Sequence, residues 1–199
     1  MIYVNKYAYL YGGRSYQIMK DFTRLDPRTG NWIRLDETDG VPDFGRFGHT
    51  CLQFKRYKLV IFGGEKQFNV QRKTRDCLND VRVFDTKNKT WDSWKTTSTS
   101  FPIEFRRNHS ACICGKHMFV YGGIDSSGKY LNDFWELNMK TRQWTYLYVE
   151  KSGYKGIAFH AMCPVFDHHR RPHHIILHRP LPKLYRDELP FEGLFVFGG

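Results

Sequence analysis

The 199-residue chain is long enough for one packed domain or for part of a repeating array, and its 41% hydrophobic and 17% aromatic content excludes a disordered polymer. No apolar run approaches the roughly 20 residues that span a bilayer. The opening MIYVNKYAYL has neither the basic start nor the unbroken apolar stretch of a secretory signal, so the chain reads as soluble and cytoplasmic.

Taken in order, the first predicted strand is AYLY, which runs into Gly12 and Gly13. The phrase KDFTRLDPRTGNW follows and closes on Trp32. RFGHT at residues 46–50 then leads into the strand TCLQF, KLVIF runs into Gly63 and Gly64, and NDVRVFDTKNKTW closes on Trp91. The cycle repeats with RRNHS at 106–110, SACIC, MFVY into Gly122 and Gly123, and NDFWELNMKTRQW to Trp144. IAFHA at 157–161 and LFVF into Gly198 and Gly199 begin it once more.

An aspartate (Asp21, Asp80, Asp133) stands eleven positions before each tryptophan, and the glycine pairs are 51 and then 59 residues apart. Internal periods of this size mean a stacked or radial array. Within a unit every pattern is strand or turn: KLVIF is apolar throughout, as for a strand buried on both faces, and VRVFD alternates before a polar turn. Four short strands per unit predict propeller blades. The glycines end the second strand, where positive φ and a missing Cβ allow a sharp turn against a neighbouring blade. The tryptophans fill the space between blades.

The glycine pairs and Trp32, Trp91 and Trp144 resemble the kelch repeat over nearly the whole chain. The departure is at Leu25, Phe84 and Leu137, where that family usually has tyrosine. The resemblance implies an all-β, kelch-type β-propeller. Since such propellers usually carry six or seven blades, it implies a partial arc of about four. The units are 1–36 (partial, lacking the Arg-x-x-His phrase), 45–95, 105–150 and 157–199 (partial, with an inserted loop at 164–192).

In kelch propellers the ligand face is built from the loops between second and third strands, here 14–20, 65–79 and 124–131, and from the loops between blades. Arginines there grip carboxylates of acidic peptides in kelch substrate adaptors, because a guanidinium fork binds carboxylate through two hydrogen bonds. This marks Arg14, Tyr16, Arg46, Lys66, Arg72, Arg75, Arg106 and Asn108 as a partner-binding set. For Arg46 and Arg106 the alternative is that they are solvated or pair with a neighbouring blade's Asp or Glu, since Ile157 takes the same repeat position. The net charge of +11 favours anionic partners generally.

His49, His109 and His160 recur at one repeat position, which argues for packing rather than catalysis. The five cysteines are irregularly spaced and read as reduced, mostly buried residues. The His- and Pro-rich stretch DHHRRPHHIILHRPLPKLYRDELPFE has no closed metal-site spacing and reads as a solvated insertion. No metal and no cofactor is expected. The function expected is a non-enzymatic interaction module, a scaffold or substrate-recognition part of a larger protein. Further domains could connect it to ubiquitin ligation, signalling or the cytoskeleton. The alternatives are an enzyme on the same scaffold (a copper oxidase or a lyase), for which no ligand or acid–base motif is evident, and nucleic-acid binding, which has only the charge behind it.

Overall fold

The computed structural model describes residues 1–35, 38, 40–42, 44–66, 76–147, 156–165 and 193–198. Its described residues fall into two compact units. One comprises Met1–Lys95 with Glu104–Asn108 and Asp125–Lys129, and the other comprises Thr96–Ile103, His109–Ile124 and Tyr130–Gly199. Among the described residues every regular element is a β-strand.

The first unit holds two four-stranded antiparallel sheets. One runs in order through β1 (Ile2–Val4), β2 (Tyr7–Tyr11), β3 (Phe22–Asp26) and β4 (Asn31–Arg34). The other runs through β5 (Thr50–Phe54), β6 (Lys58–Phe62), β7 (Val81–Asp85) and β8 (Thr90–Trp94). The first sheet was expected to be partial because it has no Arg-x-x-His phrase. It nonetheless has four strands, because three residues, Ile2 to Val4, pair with Tyr7 to Tyr9 and complete it.

The second unit contains β9 (Thr97–Ser98), β10 (Ser110–Cys114), β11 (His117–Ile124), β12 (Tyr130–Asn138) and β13 (Gln143–Leu147). Here β10 to β13 form the antiparallel blade, and β9 adds to its edge in parallel with β13. A separate hairpin joins β14 (Ala161–Val165) to β15 (Gly193–Phe197). The insertion expected at 164–192 therefore starts later than its predicted boundary: Pro164 pairs with Leu194 in this hairpin. The rest of it lies outside the described residues.

Turn chemistry explains why each blade's third and fourth strands meet. Asp26, Asp85 and Asn138 occupy equivalent places, and each side chain accepts backbone N–H bonds from the turn it opens. Four residues later the backbone is left-handed, with φ of 73° at Gly30, 58° at Lys89 and 60° at Arg142. An Asx turn followed by a left-handed residue reverses the chain in a few positions.

The core of the first unit is aromatic. Phe22 packs edge-on against Phe84 with ring centroids 4.7 Å apart and against Trp91 at 5.0 Å. Phe22 belongs to the first sheet, and Phe84 and Trp91 to the second. Trp91 thus lies between two blades, where its Nε1–H also donates to the Thr38 hydroxyl at 3.1 Å. In the second unit Cys112, Cys114, Phe119, Leu147 and Met162 form a buried cluster. Burial pushes the Cys112 thiol up to about 12, so it behaves as a small apolar side chain. No residue pair forms a disulfide among the described cysteines, of which Cys163 is exposed.

Candidate functional site: the face of the inter-blade loops

Glycine pairs and Arg-x-x-His phrases meet in one repeated joint. The second glycine's N–H donates to the first residue of the following phrase: Gly13 to the Arg46 carbonyl at 2.9 Å, Gly64 to Arg106 at 2.9 Å, and Gly123 to Ile157 at 2.7 Å. At Gly12, with φ of 63°, a Cβ would sit 2.3 Å from the Arg46 oxygen; at Gly122, with φ of 60°, it would sit 2.5 Å from the Ile157 oxygen. Only glycine allows so close an approach. Because the bond uses backbone atoms alone, Ile157 serves the joint as well as an arginine does.

The arginine side chains have a different task. Arg46 Nη1 donates to the Gly63 carbonyl, and Nη1 and Nη2 donate to the two Asp80 oxygens, each at 2.9 Å. Arg82 Nε adds a further bond to Asp80 at 2.9 Å. Burial alone would raise the Asp80 pKa; the bonds from Arg46 and then Arg82 outweigh it and hold the carboxyl below its ordinary value. Arg46 and Arg106 are both 0% exposed. Arg106 Nε donates to the Glu104 carbonyl at 3.1 Å.

The expectation that Arg46 and Arg106 stand open on a binding rim is therefore corrected. A buried guanidinium must find its acceptors within the chain, and Arg46 Nη1 and Nη2 find theirs on the Gly63 carbonyl and on Asp80 of its own blade. An incoming carboxylate would have to displace that aspartate and reach a side chain with no accessible surface.

His49 and His160 pack beneath the same joints, with ring centroids 5.7 Å from Tyr11 and 5.4 Å from Tyr121. Burial, reinforced by Arg46, lowers the His49 pKa to about 3, and burial lowers that of His160 to about 4. Both rings are neutral at pH 7.

What faces solvent lies around Glu65. This residue is 1% exposed and is clamped by reciprocal backbone bonds with Phe47. Its carboxylate meets Arg107 Nε at 3.0 Å and, more loosely, Arg14 Nη1 at 3.9 Å. Arg14 keeps 45% of its side chain exposed and lies over the Phe47 ring, with Cζ 5.5 Å from the centroid. The adjoining Lys66 rests its Nζ 4.1 Å from the centre of the Phe44 ring. Tyr16, in the loop that Arg14 opens, is 94% exposed.

Of the expected partner-binding residues, Arg14 reaches Glu65 and Phe47, Lys66 follows Glu65 in the chain, and Tyr16 is exposed in the loop that Arg14 opens. Asn108 is half-buried, left-handed at φ 53°, and donates its N–H to the Gly48 carbonyl at 2.7 Å. Arg72 and Arg75 lie outside the described residues. Sequence reasoning did not single out Arg107, Phe44 or Phe47. The available signal was positional: Arg107 follows a repeat-position arginine directly, and the two phenylalanines flank another.

The KLHDC2/KLHL20/DRC7 Kelch-repeats domain matches residues 1–170. The chain belongs to the kelch-repeat family. Kelch domain-containing protein 1 of Mus musculus is 28% identical over 158 residues, covering 69% of this chain and 38% of that protein. Kelch domain-containing protein 10 of Xenopus laevis is 28% identical over 153 residues, covering 74% and 35%. The leucine-zipper-like transcriptional regulator 1 homolog of Drosophila melanogaster is 29% identical over 130 residues, covering 62% and 12%. This kelch chain spans less than half the length of the curated relatives it matches. The solved structure of YjhT is similar in fold, with a TM-score of 0.63 at 15% identity, over 81% of this chain and 56% of that one. Among the described residues no helix is long and apolar enough to cross a membrane.

Proposed function

We propose that this kelch chain is a non-catalytic interaction module, working in the cytoplasm, that captures an acidic protein segment on the loop face bearing Arg14, Tyr16 and Lys66. The observation that carries the reading is the state of Arg14. It is half-open to solvent, pre-positioned on Phe47, and held to Glu65 at 3.9 Å, beyond hydrogen-bond range. Such a guanidinium can take a partner carboxylate at little reorganisation cost, with Lys66 beside it as a second charge and Tyr16 as an exposed aromatic contact. Arg72 and Arg75 follow Lys66 in the same loop and extend the set in sequence. Arg46 and Arg106 enter as the frame beneath this face rather than as its contacts. Attached domains of a larger protein would decide whether capture serves ubiquitin ligation, signalling or the cytoskeleton.

The test is fluorescence anisotropy with a labelled oligoglutamate peptide. Arg14→Ala with Lys66→Ala is expected to weaken binding by about tenfold or more, equivalent to about 1.4 kcal/mol, at low salt and with an unchanged thermal melt. Equal affinity in the double variant and the native chain would overturn the reading.

A further inference from the structure

The opposite ends of the first unit's blades carry a second charged surface. The registers Val4 with Tyr7 and Asp26 with Asn31 put the β1–β2 and β3–β4 turns at one end of the first sheet. Phe54 with Lys58 and Asp85 with Thr90 do the same in the second. These two ends adjoin, since the Tyr9 ring of the first sheet packs against that of Phe84, two residues before Thr86 in the β7–β8 turn, with centroids 6.2 Å apart. Thr86 in turn donates both its N–H and its hydroxyl to the Tyr57 carbonyl of the β5–β6 turn, at 2.7 and 3.0 Å.

Lys6, Lys55, Arg56, Lys87 and Lys89 are all exposed at these turns. None forms an ion pair among the described residues. The nearby acids are already engaged: Asp26 with Arg28 at 3.1 Å, and Asp85 with Lys58 at 3.4 Å as well as with its own turn. Lys55 and Arg56 lie instead against the rings of Phe54 and Tyr57, at 5.3 and 5.2 Å. We propose that this turn face is a docking surface for the phosphodiester backbone of nucleic acid.

Three features select that partner. The five cations without an ion-pair partner, four of them lysines, can each contact a phosphate, the lysines as point charges and Arg56 through its fork. The large apolar side chains exposed on this chain include none from these four turns, so the face offers nothing to insert into a bilayer. Finally, the cations occupy turns on two neighbouring blades, so they can meet successive phosphates without reading bases, which is the sequence-independent mode.

The experiment measures anisotropy of the full chain with labelled single-stranded RNA and with duplex DNA, each about 20 nucleotides long, between about 50 and 200 mM salt. Micromolar binding that weakens steeply with salt is expected, and the two probes separate RNA from DNA as the source of the phosphates. The variant Lys55→Asn, Arg56→Gln, Lys87→Gln, Lys89→Asn uses asparagine where the backbone is left-handed, at φ 54° and 58°, to spare the turns. It should lose about tenfold or more at low salt and show a shallower salt slope, by up to about 3.6 for the duplex. Lys55→Arg with Lys87→Arg and Lys89→Arg should keep native binding, which separates charge from folding. Arg14→Ala with Lys66→Ala should bind nucleic acid normally while losing oligoglutamate, so failure of this proposal and failure of the peptide reading are distinguishable. No binding of either probe at low salt, or an unchanged affinity and slope in the four-fold variant, would overturn the proposal. So would binding only to vesicles containing phosphatidylserine.

Discussion

Trp32 and Trp91 stand at the same repeat position, each paired across its sheet with the third strand, to Leu25 and to Phe84. Trp91 is 9% exposed and Trp32 is 53% exposed. The strands, the turns and the register are alike. What differs is the neighbour: the second sheet has the first to lean on, and its tryptophan meets Tyr11 and Phe22 there, at 5.3 and 5.0 Å. A repeat motif therefore encodes a blade's own strands fully, but the energy of its tryptophan belongs to the joint between blades.

The largest effect should come from breaking that asymmetry. Trp91→Ala removes a large ring from a packed aromatic cluster and is expected to cost about 3–5 kcal/mol. Trp32→Ala removes a ring that is mostly in water and should fall within roughly 0.5–1 kcal/mol of the native chain. Chemical denaturation of the two variants measures both. Equal losses would mean that Trp32 has a packing role in solution that its exposure does not reveal.

The aspartates repeat the contrast. Asp80 in the second sheet is bound by the fully buried Arg46, whereas Asp21, its counterpart in the first, is bound by Arg34, whose side chain is 74% exposed, at 3.0 Å. Arg46→Ala is expected to cost about 2–3 kcal/mol, less than a wholly enclosed pair would lose, because Asp80 keeps 25% of its side-chain surface. Arg34→Ala should cost under about 0.5 kcal/mol, as exposed pairs do. A double-mutant cycle with Asp80→Asn isolates the first pair. A coupling near zero would remove Arg46 from the framework.

These pairs also show what was legible in the sequence. Glycines, tryptophans and turn residues act through backbone geometry and volume, which local sequence carries, so the all-β repeat and its strand order could be read. The fate of Arg46 could not, because it depends on Asp80, 34 positions away, arriving within bonding distance through two strand pairings. The hint was Ile157, which can make only the backbone half of the joint. The strand β1 escaped notice because three residues carry no periodicity. The basic turn face was invisible for a related reason: its charges are scattered from position 6 to position 89 and converge only once both blades are paired.

The pH response of the same joint is spread over several pH units. The folded-state pKa of His49 is lowered to about 3 from an unfolded value of 6.5. At pH above 6.5 neither state holds the extra proton, and the full stability is present. As pH falls from 6.5 towards 3 the unfolded chain takes up a proton that the folded chain refuses, so stability declines, by at most about 1.4 kcal/mol per pH unit for one such group. His160, lowered to about 4, contributes to the same decline. Asp80 acts later, because its carboxyl is held below its ordinary 3.8; its contribution survives until the pH drops beneath that value and is lost through its lower folded pKa. Thermal melts should therefore show a first loss beginning near pH 6.5 and a second below about pH 4. His49→Gln should shallow the first slope and leave the second, while Asp80→Asn should do the reverse. If His49→Gln leaves the slope between pH 6.5 and 4 unchanged, the imidazole is not held neutral beneath the glycine pair, and the joint is more open to water than its packing against Tyr11 implies.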